Sequence, residues 1–272
     1  MTRCPRRPHN FAFHSVRKEL TYMQNRPVND DSWDEDFSEK GRMEIGNSEF
    51  MLGLKQVLRD GDKAVSRRTF NLIIGGMVLL GFLLNYLTVV LAGEAVARFA
   101  YTKGGSIFII IGYLVCAFIG ARLVVTPHAV KSTIGYLLIA VPVGLLLCIT
   151  VEGTDIRVVR DAVIYTGLIS ALFIALGAAY PDFFLKMGRV LLVSLGILII
   201  GELILGFIAG VPDISWLFAG IFCCYIGYDW ARCSTAATTV DNAVDIAANL
   251  YLDIINLLLR IIRILNRARR DN

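Results

Sequence analysis

Seven apolar runs follow one another along the chain, at 70–92, 106–125, 134–150, 162–179, 190–209, 214–230 and 243–265. Most approach the ~20 residues that a helix needs to cross a bilayer. The connections between them are brief, and several hold Gly, Pro or charge, as at Gly104-Gly105, Thr126-Pro127 and Pro181-Asp182. Short connections make successive helices antiparallel neighbours. The pattern predicts an all-α membrane protein, a bundle of seven transmembrane helices filling 69–266. Composition points the same way. Of 272 residues, 56% are hydrophobic and 18% charged, below the ~25% charged of an ordinary soluble domain. The net charge of +4 is too small, and its Lys and Arg too scattered, to argue for nucleic acid. The expected partner is the lipid bilayer, joined by membrane proteins if the chain is a regulator.

The flanks differ in character. Residues 1–47 are polar, basic at Arg3, Arg6 and Arg7, then acidic around Asp30, Asp31, Asp34, Glu35 and Asp36. They read as a disordered or variable extension. Over 48–58 the residues Phe50, Met51, Leu54, Val57 and Leu58 share one helical face. That predicts an amphipathic helix on the bilayer surface within 48–68. A basic tail, 267–272, closes the chain. With the N-terminus inside, the inner flanks of the runs carry ten Lys and Arg against four in the outer loops. That favours this orientation. The arginines at the end of the seventh run oppose it, so that run either crosses regardless or is re-entrant. The six cysteines have no metal-type spacing and read as reduced, apolar groups.

The seventh run is the unusual one. Asp245, Asn249, Asp253, Asn256, Arg260 and Arg263 recur at intervals of 4, 4, 3, 4 and 3. Side chains three and four apart share a face of a helix, so one stripe is polar while the rest is Leu, Ile, Tyr and Ala. A carboxylate facing hydrocarbon costs at least ~2.5–3.5 kcal/mol. The stripe must therefore face protein or water, which places this polar-striped helix at the centre of the bundle.

Two acids stand out. Asp229 lies near the inner end of the sixth run, and Asp253 about ten residues into the seventh. Antiparallel packing brings them together in the inner half of the bundle. Two carboxylates in a low-dielectric site tend to share one proton and titrate as a pair. Such a pair responds to pH and binds a cation when both members are ionised. Calcium prefers ~6–8 oxygens, so Asn256, carbonyls or water would have to help. The plainer alternative is that each acid pairs with a base and only holds helices together. Arg122, at the inner end of the second run, is a candidate counter-ion or a headgroup-seeking arginine. Glu202, deep in the fifth, is a second polar station or a hydrogen-bonded packing residue. Asn249, Asn256 and Asp245 complete the secondary polar site. Asn85, Asn249 and Asn256 read as interhelical hydrogen-bonding groups.

The segment Leu250-Tyr251-Leu252-Asp253-Ile254-Ile255-Asn256-Leu257 resembles the last helix of the transmembrane BAX inhibitor motif family. The pair Tyr228-Asp229 resembles that family's sixth-helix YD motif. The resemblance covers about 70–265. It implies six helices around a central seventh, and a pH-sensitive calcium leak gated by Asp229 and Asp253 with a second-helix arginine, here Arg122. Calcium and protons would be carried or regulatory ions, with no cofactor.

The residues and the family resemblance together leave three functions open. The first is a cation leak gated by the acids. The second is a non-catalytic regulator of other membrane proteins, linked to cell death or membrane proteolysis, whose stripe is only structural. The third is an intramembrane aspartyl protease. That reading needs Gly-x-Gly-Asp on the second acid's helix, where this chain has Leu250-Tyr251-Leu252-Asp253. The leak is the expectation, in a chain that is not an enzyme. A bacterial plasma membrane is the expected location, an endomembrane if the source is eukaryotic.

Overall fold

The computed structural model describes residues 64–126, 128–208 and 214–270, without the side chains of 205–208. The expected extension at 1–47 and most of the surface helix at 48–68 lie outside the described residues. Within them the chain forms seven helices: α1 Arg67–Ala100, α2 Gly105–Val124, α3 Ala129–Val151, α4 Ile156–Ala179, α5 Pro181–Ile208, α6 Ser215–Thr235 and α7 Val240–Arg270. Each contains one of the seven apolar runs, to within a residue at some ends. The last two residues of the expected surface helix, Arg67 and Arg68, belong to α1.

Local chemistry sets the helix starts. The Ser66 hydroxyl accepts from the Thr69 N–H at 3.1 Å and caps α1. Asp155 does the same for α4, accepting from Arg157 N–H at 2.8 Å. α5 opens on Pro181, whose missing N–H costs nothing at a first helical position. Thr239 caps the first turn of α7 through the Asn242 N–H at 3.2 Å.

Five of the seven, α1 to α5, are long and apolar enough to cross a bilayer. Their large apolar side chains point outward: Leu72, Leu91, Phe108, Leu168 and Ile197 are each more than 60% exposed. In water this surface would be untenable, so it marks a helical integral membrane protein. α6 and α7 fall short of that apolarity because they carry the buried charges.

α7 forms the core. It packs against α1, α3, α4 and α6. Its apolar face, including Val244, Ile246, Leu250, Tyr251, Ile255, Leu257 and Ile262, is almost wholly buried. At 31 residues it is roughly 46 Å long. At one end Val65 N–H donates to Thr238 O at 2.8 Å, and Arg67 Nη1 to Cys233 O at 2.9 Å, tying the start of α1 to the α6–α7 turn. At the other end Asn266 Nδ2 donates to Thr154 Oγ1 at 3.1 Å, and Arg269 pairs with Asp155 at 2.7 Å. α7 thus runs unbroken from the end of the bundle holding the N-terminus of α1 to the end holding the α3–α4 turn.

Close backbone contacts position the other helices. A side chain at Gly177 would strike the carbonyl of Gly227, so α4 and α6 touch backbone to backbone. Gly120 and Gly135 do the same for α2 and α3, where an added Cβ would lie 2.7 Å from the opposite carbonyl. Small residues at crossings are how helices approach closely in lipid.

Candidate functional site: an acid pair on α6 and α7

Asp229 projects from the last third of α6 and is 4% exposed. Its side chain lies close enough to that of Asp253, from the middle of α7, for the two carboxyl groups to interact. Asp253 is partly exposed as a residue, but its Oδ2 is buried and receives no donor. Two carboxyl groups form a hydrogen bond only when one of them carries a proton. Two such neighbours repel when both are ionised and can bond when one is protonated.

The cation at this pair is Arg232. Its Nη1 donates to Asp229 Oδ1 at 3.1 Å, one helical turn along α6. The guanidinium also lies 5.5 Å from the Tyr228 ring centre, and Arg232 is only 9% exposed. Tyr225 stands within electrostatic range of both acids. The cluster is thus Tyr225, Tyr228, Asp229 and Arg232 on α6 with Asp253 on α7.

Arg122 stands elsewhere. It is exposed near the end of α2, its guanidinium 5.1 Å from the Phe118 ring centre. Sequence reasoning passed over Arg232, counting it only among the inner flanking charges. The signal was there, because residues three apart on a helix are neighbours.

Glu202 on α5 is bound at two points by Arg260 of α7, at 2.8 and 3.0 Å, and Arg263 stands 3.5 Å away. Arg260 also lies 3.7 Å over the Phe218 ring of α6. The stripe's two arginines therefore clamp three helices together about two turns beyond the acid pair. Asp245 is buried, while Asn249 and Asn256 are partly exposed along the same stripe. Asn85 on α1 donates to the Tyr251 hydroxyl on α7 at 2.6 Å, an interhelical bond as its type suggested. Asp241 was not foreseen: it is buried in the first turn of α7 and accepts from Ser132 Oγ on α3 at 2.6 Å. Among the described residues, no three His, Cys, Asp or Glu side chains gather as a metal site.

These features define a class first: a helical integral membrane protein whose most buried helix carries a carboxyl pair to a partner helix. The family follows from comparison. The family model described as "Inhibitor of apoptosis-promoting Bax1" matches residues 62–271. That is most of the chain, and the protein belongs to this Bax inhibitor-like family. No curated protein and no solved structure matches it.

Proposed function

We propose that the protein is a pH-sensitive leak for calcium or similar cations, gated by Asp229 and Asp253. The observation that carries this reading is the proximity of the buried Asp229 carboxyl on α6 to the Asp253 carboxyl on α7, held beside Arg232. Protonation lets the pair bond and draws α6 and α7 together. Ionisation makes the acids repel, loosens that crossing and leaves two oxygens-rich groups for a passing cation. Two aspartates supply far fewer than the ~6–8 oxygens calcium prefers. The pair therefore suits a transit point, where the ion keeps part of its water, better than a storage site.

This function needs all seven helices to cross the membrane, with α7 as the enclosed pathway wall. α6 and α7 are too polar to cross alone, but Asp229 pairs with Arg232 and Arg260 with Glu202 inside the bundle, where crossing is tolerated. The reading includes no catalysis. It sets the protein in a bacterial plasma membrane, or in an endomembrane if the source is eukaryotic.

The test is flux from calcium-loaded vesicles containing the purified full-length chain. Flux should vary with pH and exceed that of empty vesicles. In an Asp229→Asn/Asp253→Asn variant the pH dependence should disappear. A variant with wild-type flux at every pH removes the acids from gating. No flux from the wild type, together with a membrane protein that co-purifies at fixed stoichiometry, favours a regulator instead.

A further inference from the structure

We propose that the end of the bundle near the start of α1 carries a site for the phosphate headgroup of an anionic phospholipid, between α1, α4 and α6. A cavity of about 320 Å³ lies there, lined by Arg67 and Asn71 of α1, Ala178 of α4, and Trp230, Cys233 and Ser234 of α6. Its origin is a mismatch in packing. α4 and α6 meet backbone to backbone at Gly177 and Gly227. α1 instead packs mainly on α3 and α7 and stands off from α6. What bridges the gap is the Arg67 side chain, with Nη1 on Cys233 O at 2.9 Å and Nη2 on Ser234 O at 3.4 Å.

The chemistry matches a headgroup. Arg67, Asn71, Ala178 and Ser234 are exposed, so the cavity opens to the surface. Arg67 keeps its charge and further N–H groups beyond the two carbonyl bonds, and a guanidinium suits phosphate oxygens. Asn71 is a polar residue one turn into α1, beside Leu72, which is 69% exposed. The Asn71 Oδ1 accepts from Cys233 Sγ at 3.9 Å, and its Nδ2 amide is a donor suited to a phosphate oxygen. Trp230 brings an indole to the same level, where such rings favour the membrane–water boundary. Arg68, Lys186 and Arg189 are exposed at this end of the bundle as well and raise the local concentration of anionic lipid. The apolar belt just beyond Leu72 is where the acyl chains would lie.

Trp230 makes the site observable. The chain has three tryptophans, so a full-length Trp33→Phe/Trp216→Phe variant reports from Trp230 alone. It is placed in phosphatidylcholine vesicles, and lipid brominated on its acyl chains is added stepwise. Brominated phosphatidylglycerol should quench Trp230 at a lower mole fraction than brominated phosphatidylcholine. Arg67→Gln should raise the phosphatidylglycerol needed for half-quenching about fivefold, the effect of one arginine at a membrane surface. Arg68→Gln removes the same charge from the same face outside the cavity and should change little. Ala178→Phe fills the cavity while keeping Arg67, and should weaken quenching as Arg67→Gln does. Equal quenching by both lipids, or equal loss in the Arg67 and Arg68 variants, overturns the site. Relief of quenching by millimolar inorganic phosphate overturns the lipid as its occupant. If Arg67→Gln does not fold, the Ala178→Phe result decides.

Discussion

A buried charge survives in a membrane only with a partner, and Arg232 supplies one to Asp229 at 3.1 Å. Removing one member of a buried ion pair leaves the other uncompensated, a loss of roughly 3–5 kcal/mol. Arg232→Gln should therefore lower the stability of the detergent-solubilised protein by that order at neutral pH. Arg122 is exposed over Phe118, so Arg122→Gln should cost under about 1 kcal/mol. Thermal unfolding of the two variants side by side tests the assignment. A larger loss at Arg122 would move the counter-ion back to α2. Both positions were visible in the sequence, but only one lies a helical turn from the acid on the same helix. Arg122 was a candidate from its place at the inner end of the second run, and no neighbouring motif anchored the family's second-helix arginine in register there. The acids themselves were legible because carboxylates are rare in apolar runs and these two lie on successive helices.

At the scale of the helix, apolar periodicity located all seven elements but misplaced their ends. The fifth run opens at Val190, whereas α5 begins at Pro181. Asp182, Lys186 and Arg189 interrupt the apolarity without interrupting the helix, because charges at a helix end can reach the membrane surface. Likewise α6 continues past Trp230 to Thr235, since Arg232 is paired and Cys233 buried rather than lipid-facing. Caps and ion pairs set such ends, and they are invisible to a hydropathy count. One of them can be titrated. Asp155 caps α4 and meets Arg269 of α7 at 2.7 Å. The bond from Arg157 N–H, then the Arg269 charge, holds its carboxyl below the usual carboxylate range. A folded-state value below the unfolded one stabilises the fold above that range, and the effect is lost as pH falls through the folded value. Asn still caps a helix, so Asp155→Asn isolates the ionic part. At neutral pH its amides at 267–270 should exchange roughly two- to fivefold faster than in the wild type. The ratio should return to one in strong acid or high salt. A ratio that ignores both would mean the contact with Arg269 contributes nothing.

Over the whole molecule, two sequence signals conflict. Basic residues flanking α1 to α6 favour the N-terminus inside, while the arginines at the end of α7 favour that end inside as well. Both cannot hold if α7 crosses once. Its course through the bundle argues for crossing. A re-entrant α7 would bring its last turn back beside the α6–α7 turn, yet that turn is pinned to Val65 and Arg67 while Asn266 and Arg269 are pinned to Thr154 and Asp155. Returning would also expose an apolar face now buried against four helices, several residues each worth ~1.5–3 kcal/mol. If α7 crosses, this packing rather than the charge of its flanks sets its direction. In a background with the native cysteines replaced by serine or alanine, Thr235→Cys and Arg270→Cys should therefore react with an impermeant maleimide from opposite sides of a sealed membrane. Labelling of both from the same side would show that α7 does not cross, and the enclosed pathway proposed for the cation would have no second opening.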